Sequence, residues 1–137
     1  MHIKTFDKSD LDSMDIVTSD FVKLPYENAV RKICFRASVG EAFTFCRNDH
    51  QFYASCGIFQ DNPTDMVLWM IVDKHMTDSP ESKSEFLKLC GGLEKYIRSK
   101  YKGFPVRCKV IDTEERYHRF VRCFGLSFFD GIYKGVI

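Results

Sequence analysis

Seven consecutive apolar residues, Met66-Val67-Leu68-Trp69-Met70-Ile71-Val72, constrain this chain more than any other stretch. The run is far too short for a membrane span, and its β-branched and aromatic content predicts a strand covered on both faces. Asp73 to Ser79 is polar. Pro80 then suits a first helical turn, with Ser79 as N-cap and Glu81 near the positive end of the helix dipole. Phe86, Cys90, Leu93 and Ile97 follow at the spacing of one α-helical face. The fold must therefore hold a buried strand that feeds a helix through a tight loop, a place where many α/β proteins hold a phosphate.

The remaining elements read outward from that unit. His2 to Phe6 predicts a first strand. Ser9 is expected to cap a helix with Leu11, Met14 and Val17 inward and Asp10, Asp12 and Asp15 on its outer side. Pro25 opens a second helix with Tyr26, Val30, Ile33 and Cys34 on one face, broken at Val39-Gly40. Phe43 to Arg47 and Phe52 to Phe59 read as a β-hairpin about Asn48-Asp49-His50, with Gly57 marking a bulge or a close approach. Asp61 to Asp65 turns into the Met66 run, so three strands form an antiparallel meander. The helix from Pro80 ends near Tyr101-Lys102-Gly103, and Gly91-Gly92 inside it signals either close packing or a weak point. Pro105 to Ile111 is a fifth strand. Thr113 caps a last helix with Tyr117, Phe120, Val121 and Phe124 inward, stopped by Gly125. Leu126 to Tyr133 reads as a final strand kinked near Asp130-Gly131. The order β-α-α-β-β-β-α-β-α-β gives one α/β (α+β) domain over residues 1–137, with a mixed, mostly antiparallel sheet and helices on both faces.

Composition excludes several classes. With 45% hydrophobic and 15% aromatic residues the chain is not disordered or collagen-like. No secretion signal or membrane span is read from it. The six cysteines lie in apolar or periodic segments without Cys-x-x-Cys spacing, so reduced, buried thiols are expected. The histidines His2, His50, His75 and His118 are scattered, so no metal site is expected. Residues 1–82 carry 8 Lys+Arg against 13 Asp+Glu, and residues 83–137 carry 12 against 6. Two oppositely biased solvated faces account for this, or else a basic surface meets an acidic partner. No nucleic-acid motif accompanies the charge, and nucleic acid is not an expected partner.

This order resembles the GNAT fold of the acetyl-coenzyme A-dependent N-acetyltransferases. The resemblance is most specific at Arg119-Phe120-Val121-Arg122-Cys123-Phe124-Gly125-Leu126, which looks like the final helix of that family, typically Phe-Tyr-x-x-x-Gly-Phe. The chemistry-bearing positions depart from it. Family enzymes carry Arg/Gln-x-x-Gly-x-Gly/Ala between the fourth strand and the next helix, where backbone N–H groups cradle the pyrophosphate. Matching Phe86-Leu87 to the apolar pair after that motif puts its basic residue on Asp78 and its glycines on Ser79, Glu81 and Lys83. No glycine occurs between Met66 and Cys90. The tyrosine that protonates the leaving thiolate falls on Val121, with Tyr117 one turn earlier as a substitute or a core residue. A general base near the fourth strand has only Asp73 as a candidate, otherwise a solvated strand end. A narrower resemblance, carried by Trp69, by Ser82, Lys83 and Phe86, and by His118-Arg119-Phe120, is to small GNAT-like internal virion proteins of short-tailed bacteriophages.

What these resemblances imply divides three ways. The first is a non-catalytic GNAT-like phage protein, in the virion or host cytoplasm, without a cofactor and active in assembly or ejection through protein contacts. Its candidate contacts to an acidic partner are Lys95, Arg98, Lys100, Arg116, Arg119 and Arg122. The second is a divergent N-acetyltransferase. Ile71 and Val72 would supply backbone groups to the pantetheine arm of acetyl-CoA, and Ser79, Ser82 and Lys83 would hold the pyrophosphate, with Lys83 or Lys74 as counter-charge. Tyr117 and Asp73 would then be the catalytic acid and base. The third is a phage-encoded inhibitor of a host system.

Overall fold

The computed structural model describes residues 2–14, 16–18, 26–48, 51–73, 79–109, 118, 121–122 and 124–137. Among them run β1 (His2–Thr5), a 3₁₀ turn (Lys8–Ser13), β2 (Ile16–Thr18), α1 (Tyr26–Ser38), β3 (Gly40–Asn48), β4 (Gln51–Gln60), β5 (Met66–Asp73), α2 (Pro80–Lys100), β6 (Pro105–Cys108), β7 (Ser127–Phe129) and β8 (Ile132–Val136). The strands form one sheet in the order β1-β3-β4-β5-β6-β8-β7, with β2 pairing β5 off that path. β5 and β6 are parallel, joined by the α2 crossover, and the other described pairs are antiparallel.

The apolar run is covered on both faces, as its composition requires. Leu68 and Val72 pack toward α2, in a core with Phe45, Phe86, Cys90, Leu93 and Ile97. Trp69 and Ile71 point the other way, into a second core with Leu11, Ala29 and Ile33. α2 begins where the sequence places it. Ser79 caps it, its Oγ accepting from the Ser82 N–H at 3.1 Å. Gly57 is a close approach: a Cβ there would lie 2.8 Å from the Trp69 ring and 2.5 Å from the Glu41 carbonyl oxygen. Gly91 and Gly92 face open space, so they are a weak point in α2 and not a packing contact.

Three expectations are corrected. The segment after β1 is a short 3₁₀ turn and not an α-helix, and its cap is Asp7 in place of Ser9. Asp7 accepts from the Ser9 N–H while Asp10 accepts from the Asp7 N–H, each at 2.9 Å. Asp10 is therefore buried, 2% exposed, where an outward position was expected. The next residues, Ile16-Val17-Thr18, are all β-branched and leave the helical path to pair with β5. The final strand is a hairpin, because Asp130 (φ 52°) and Gly131 (φ 83°) both adopt the left-handed conformation of a tight two-residue turn. The fifth strand stops at Cys108.

Most of the predicted last helix lies outside the described residues. Val121 and Phe124 are buried as expected, and Gly125 (φ 76°) follows them. Cys34, Cys46, Cys56, Cys90 and Cys108 are free thiols, and burial pushes the Cys56 thiol up to about 12. Among the described residues no helix is long and apolar enough to cross a membrane, and no group of side chains suits a metal ion.

Candidate functional site

β5 has one complete edge and one broken edge. β4 pairs along the first, from Met66↔Gln60 to Val72↔Ala54. On the second, β6 reaches only Met66 and Val67 before diverging to follow β8. At the far end of that edge β2 pairs Thr18 with Val72 and Ile16 with Asp73. Leu68 to Ile71 lie between these two partners, and a cavity of about 320 Å³ opens there.

Apolar and cationic side chains both line the cavity. Phe59, Val67 and Trp69 line it from the α1-side core, and Leu68, Met70 and Ile132 line it as well. Among the described lining residues are three cations, Arg36 from α1, Arg107 from β6 and Lys109 just beyond it, and the carboxylate of Asp61. The Arg36 guanidinium stands 5.5 Å from the Phe59 ring centroid. Arg107 is held by an ion pair to Asp61, and its other nitrogen lies 3.6 Å from Asp65. Trp69 is wedged between Gly57 and the Phe6 ring, and its buried Nε1 has no hydrogen-bond partner among the described residues. Sequence reasoning placed Trp69 on the buried strand without a site role and missed the cations. Arg36, Arg107 and Lys109 share no spacing, and only the sheet brings them together.

The groups proposed for acetyl-CoA lie at the β2 end of this edge. Ile71 is buried, and the outer edge of Val72 is taken by Thr18. In the first turn of α2, Pro80 has no N–H, the Ser82 N–H is bound to Ser79 Oγ, and the Lys83 N–H bonds the Ser79 carbonyl at 3.2 Å. Ser82 itself is buried, its hydroxyl accepting from Ser79 at 2.9 Å, and Glu81 adds a carboxylate to that turn. With β2 in place the outer edge of Val72 and the Ser82 and Lys83 N–H groups are engaged, and residues 74–78 before α2 lie outside the described residues. Asp73, expected as a solvated strand end, is 7% exposed. Val121, which the sequence resemblance set against the leaving-group tyrosine, is packed in the α2-side core. Tyr117, Lys74 and Asp78 lie outside the described residues.

The basic interface candidates are partly neutralised. Arg98 donates to Glu94 at 2.8 Å, and Arg122 donates to the His118 carbonyl at 3.3 Å. Lys100 pairs with Glu41 at 2.9 Å. Glu41 also accepts from Tyr96 at 2.5 Å and from Tyr101. Desolvation pushes Glu41 upward, but the bonds from Lys100, Tyr101 and Tyr96 outweigh it and hold the carboxyl below its usual value. Burial and the bond to Glu41 push Tyr101 up to about 12. Lys95 is exposed, whereas Arg116 and Arg119 are outside the described residues.

No family model matches this chain, and no curated protein matches it. Solved structures do. An acetyltransferase of the GNAT family from Staphylococcus aureus Mu50 aligns over 98% of this chain and 98% of its own, with TM-score 0.63 and 13% identity. The protein smu.2055 from Streptococcus mutans UA159 aligns over 99% of both chains, with TM-score 0.60 and 12% identity. A mutant AtaT toxin, bound to the C-terminus of its antitoxin AtaR and acetyl-CoA, aligns over 98% of this chain and 92% of its own, with TM-score 0.54 and 12% identity. At such identities the likeness establishes the fold: the chain has the mixed α+β architecture of the GNAT acetyltransferases.

Proposed function

We propose that this chain is a non-catalytic protein of GNAT fold that acts through contacts with another protein. The observation that carries this reading is the pairing of Thr18 with Val72, which fills the strand edge where the fold would seat the cofactor arm. The engaged Ser82 and Lys83 N–H groups of α2 and the buried Val121 point the same way. The cations that line the cavity disfavour a protonated amine as acceptor. Two surfaces suit a protein partner. One is the outer face of α2 that carries the exposed Lys95. The other is β7, the last strand of the sheet among the described residues, where Phe128 and Phe129 are 59% and 73% exposed. The resemblance to bacteriophage virion proteins supplies a setting, contacts within a particle or with an acidic host protein.

A divergent acetyltransferase is the second reading, favoured by the GNAT acetyltransferases among its structural neighbours. It requires β2 to leave β5. Calorimetric titration with acetyl-CoA and coenzyme A near millimolar ligand separates the two. The binding-protein reading expects no heat and no thermal stabilisation. Micromolar binding, or turnover of acetyl-CoA with an amine, overturns it.

A further inference from the structure

The sheet is covered unevenly. Over β3, β4 and β5 the α1-side face is packed by Leu11, Ala29 and Ile33. Over β6, β8 and β7 the buried residues, Val106, Cys108 and Tyr133, all belong to the α2-side core, and no described residue of these strands is in the α1-side core. Successive side chains of a strand alternate between faces, so Arg107, Ile132, Lys134 and Val136 lie on the α1 side. Phe129 joins them as the partner of Ile132, whereas Phe128 faces the other way, its ring centroid 5.1 Å from that of Tyr133. An antiparallel sheet face left to water carries polar residues. Here Phe129 is 73% exposed, Val136 is 67% exposed and Ile132 is half-buried. We propose that this face of β6, β8 and β7 docks an acidic amphipathic helix of a partner protein. The inference rests on the reading of the chain as one that acts through protein contacts, and it names the surface and the chemistry of the partner.

Charge and size select the occupant. β6, β7 and β8 contain no carboxylate, and Asp130 sits in the turn between the last two. Lys134 stands opposite Arg107, and Lys109 follows β6. Arg107 is engaged by Asp61, but Lys134 and Lys109 are exposed and have no ion-pair partner among the described residues. A two-fold pairing of this face with itself would bring like charges together, which disfavours a second copy of the chain. A partner that carries carboxylates beside an apolar stripe complements both features. β8 is five residues long, and three strands about 4.8 Å apart give a face about 10 Å wide and about 16 Å long. A single α-helix about 10 Å across covers that in about three turns.

The probe is a blocked amphipathic peptide of about 14 residues, with leucine on one face and glutamate on its flanks. It is titrated into the full chain by calorimetry and by backbone amide shifts. Saturable binding at about 100 μM or below is expected, with shifts confined to β6, β8 and β7. The same peptide with lysine for glutamate should bind at least about tenfold more weakly. Lys134→Glu should weaken the glutamate peptide at least about fivefold and strengthen the lysine peptide, and Phe129→Ser should weaken both. Both positions are exposed, so circular dichroism should stay unchanged. Lys8→Glu, at an exposed position in the 3₁₀ turn, should leave affinity unaltered. The proposal is overturned if the glutamate peptide does not saturate by about 1 mM, if the lysine peptide binds as well, if the shifts map to α2, or if Lys134→Glu changes nothing. A dimer in solution that Phe129→Ser dissociates would assign the face to a second copy, and single-stranded oligouridylate that displaces the peptide would assign it to nucleic acid; either overturns the proposal. Failure of the peptide strikes this surface and leaves the protein-contact reading to the acetyl-CoA titration. Acetyl-CoA turnover refutes that reading and leaves the peptide result standing.

Discussion

Replacing Asp10 with alanine tests how the turn that leads into β2 is held. The carboxylate is 2% exposed and meets three donors: Lys4 Nζ at 2.8 Å, Thr44 Oγ1 at 2.7 Å and the Asp7 N–H at 2.9 Å. Removing one partner of a buried ion pair costs about 3–5 kcal/mol when the other charge stays buried. Lys4 is 33% exposed and can turn to water, and Thr44 keeps its bond to Ser55 at 2.9 Å. Those two escapes bring the expected loss to the lower end, about 3 kcal/mol, of which about 1 is the lost cap on Asp7. Urea unfolding at constant slope measures it. With a slope of about 1.5 kcal/mol/M the midpoint should fall by about 2 M. The double variant Asp10→Ala with Thr44→Val should lose less than the sum of the single changes, because both act on one network. A loss below about 1 kcal/mol, or strict additivity, would show that the buried carboxylate contributes no more than a surface ion pair.

The remaining predictions concern the sheet and its outer face. Gly57→Ala should destabilise the protein by about 1–2 kcal/mol and alter Trp69 emission, because the added methyl meets the Glu41 carbonyl, which cannot move cheaply. A thermal midpoint equal to or above that of the parent would contradict this. Glu41 is depressed, so its share of stability is present above the ordinary carboxylate pKa and fades as pH falls through it. Tyr101 is raised, so its share is present below pH 10 and fades as pH climbs toward about 12. Glu41→Gln should flatten the acid limb of a stability-versus-pH curve, and an unchanged limb would remove Glu41 from the account.

Much of the architecture was legible because local patterns agree with their tertiary setting. The Met66–Val72 run is apolar at every position and can only be a strand with two covered faces. Ser79-Pro80 and the Phe86, Cys90, Leu93, Ile97 stripe fix α2 to within a residue of its observed start. The segment after β1 was misread because Leu11 and Met14 have helical spacing. Asp7 and Asp10 close a tighter turn first, and the β-branched residues that follow find a free strand edge. No local rule shows that such an edge exists.

By itself, then, the sequence determined the antiparallel meander that leads into β5 and α2, the two-sided burial of β5 and the missing glycine loop, since each depends on residues close in the chain. The tertiary structure alone decided the site. Thr18 meets Val72 across more than fifty residues, and Arg36, Arg107 and Lys109 converge only once β6 has left β5 to pair with β8. The divergence of two strands is a property of the whole sheet, and no spacing along the chain encodes it.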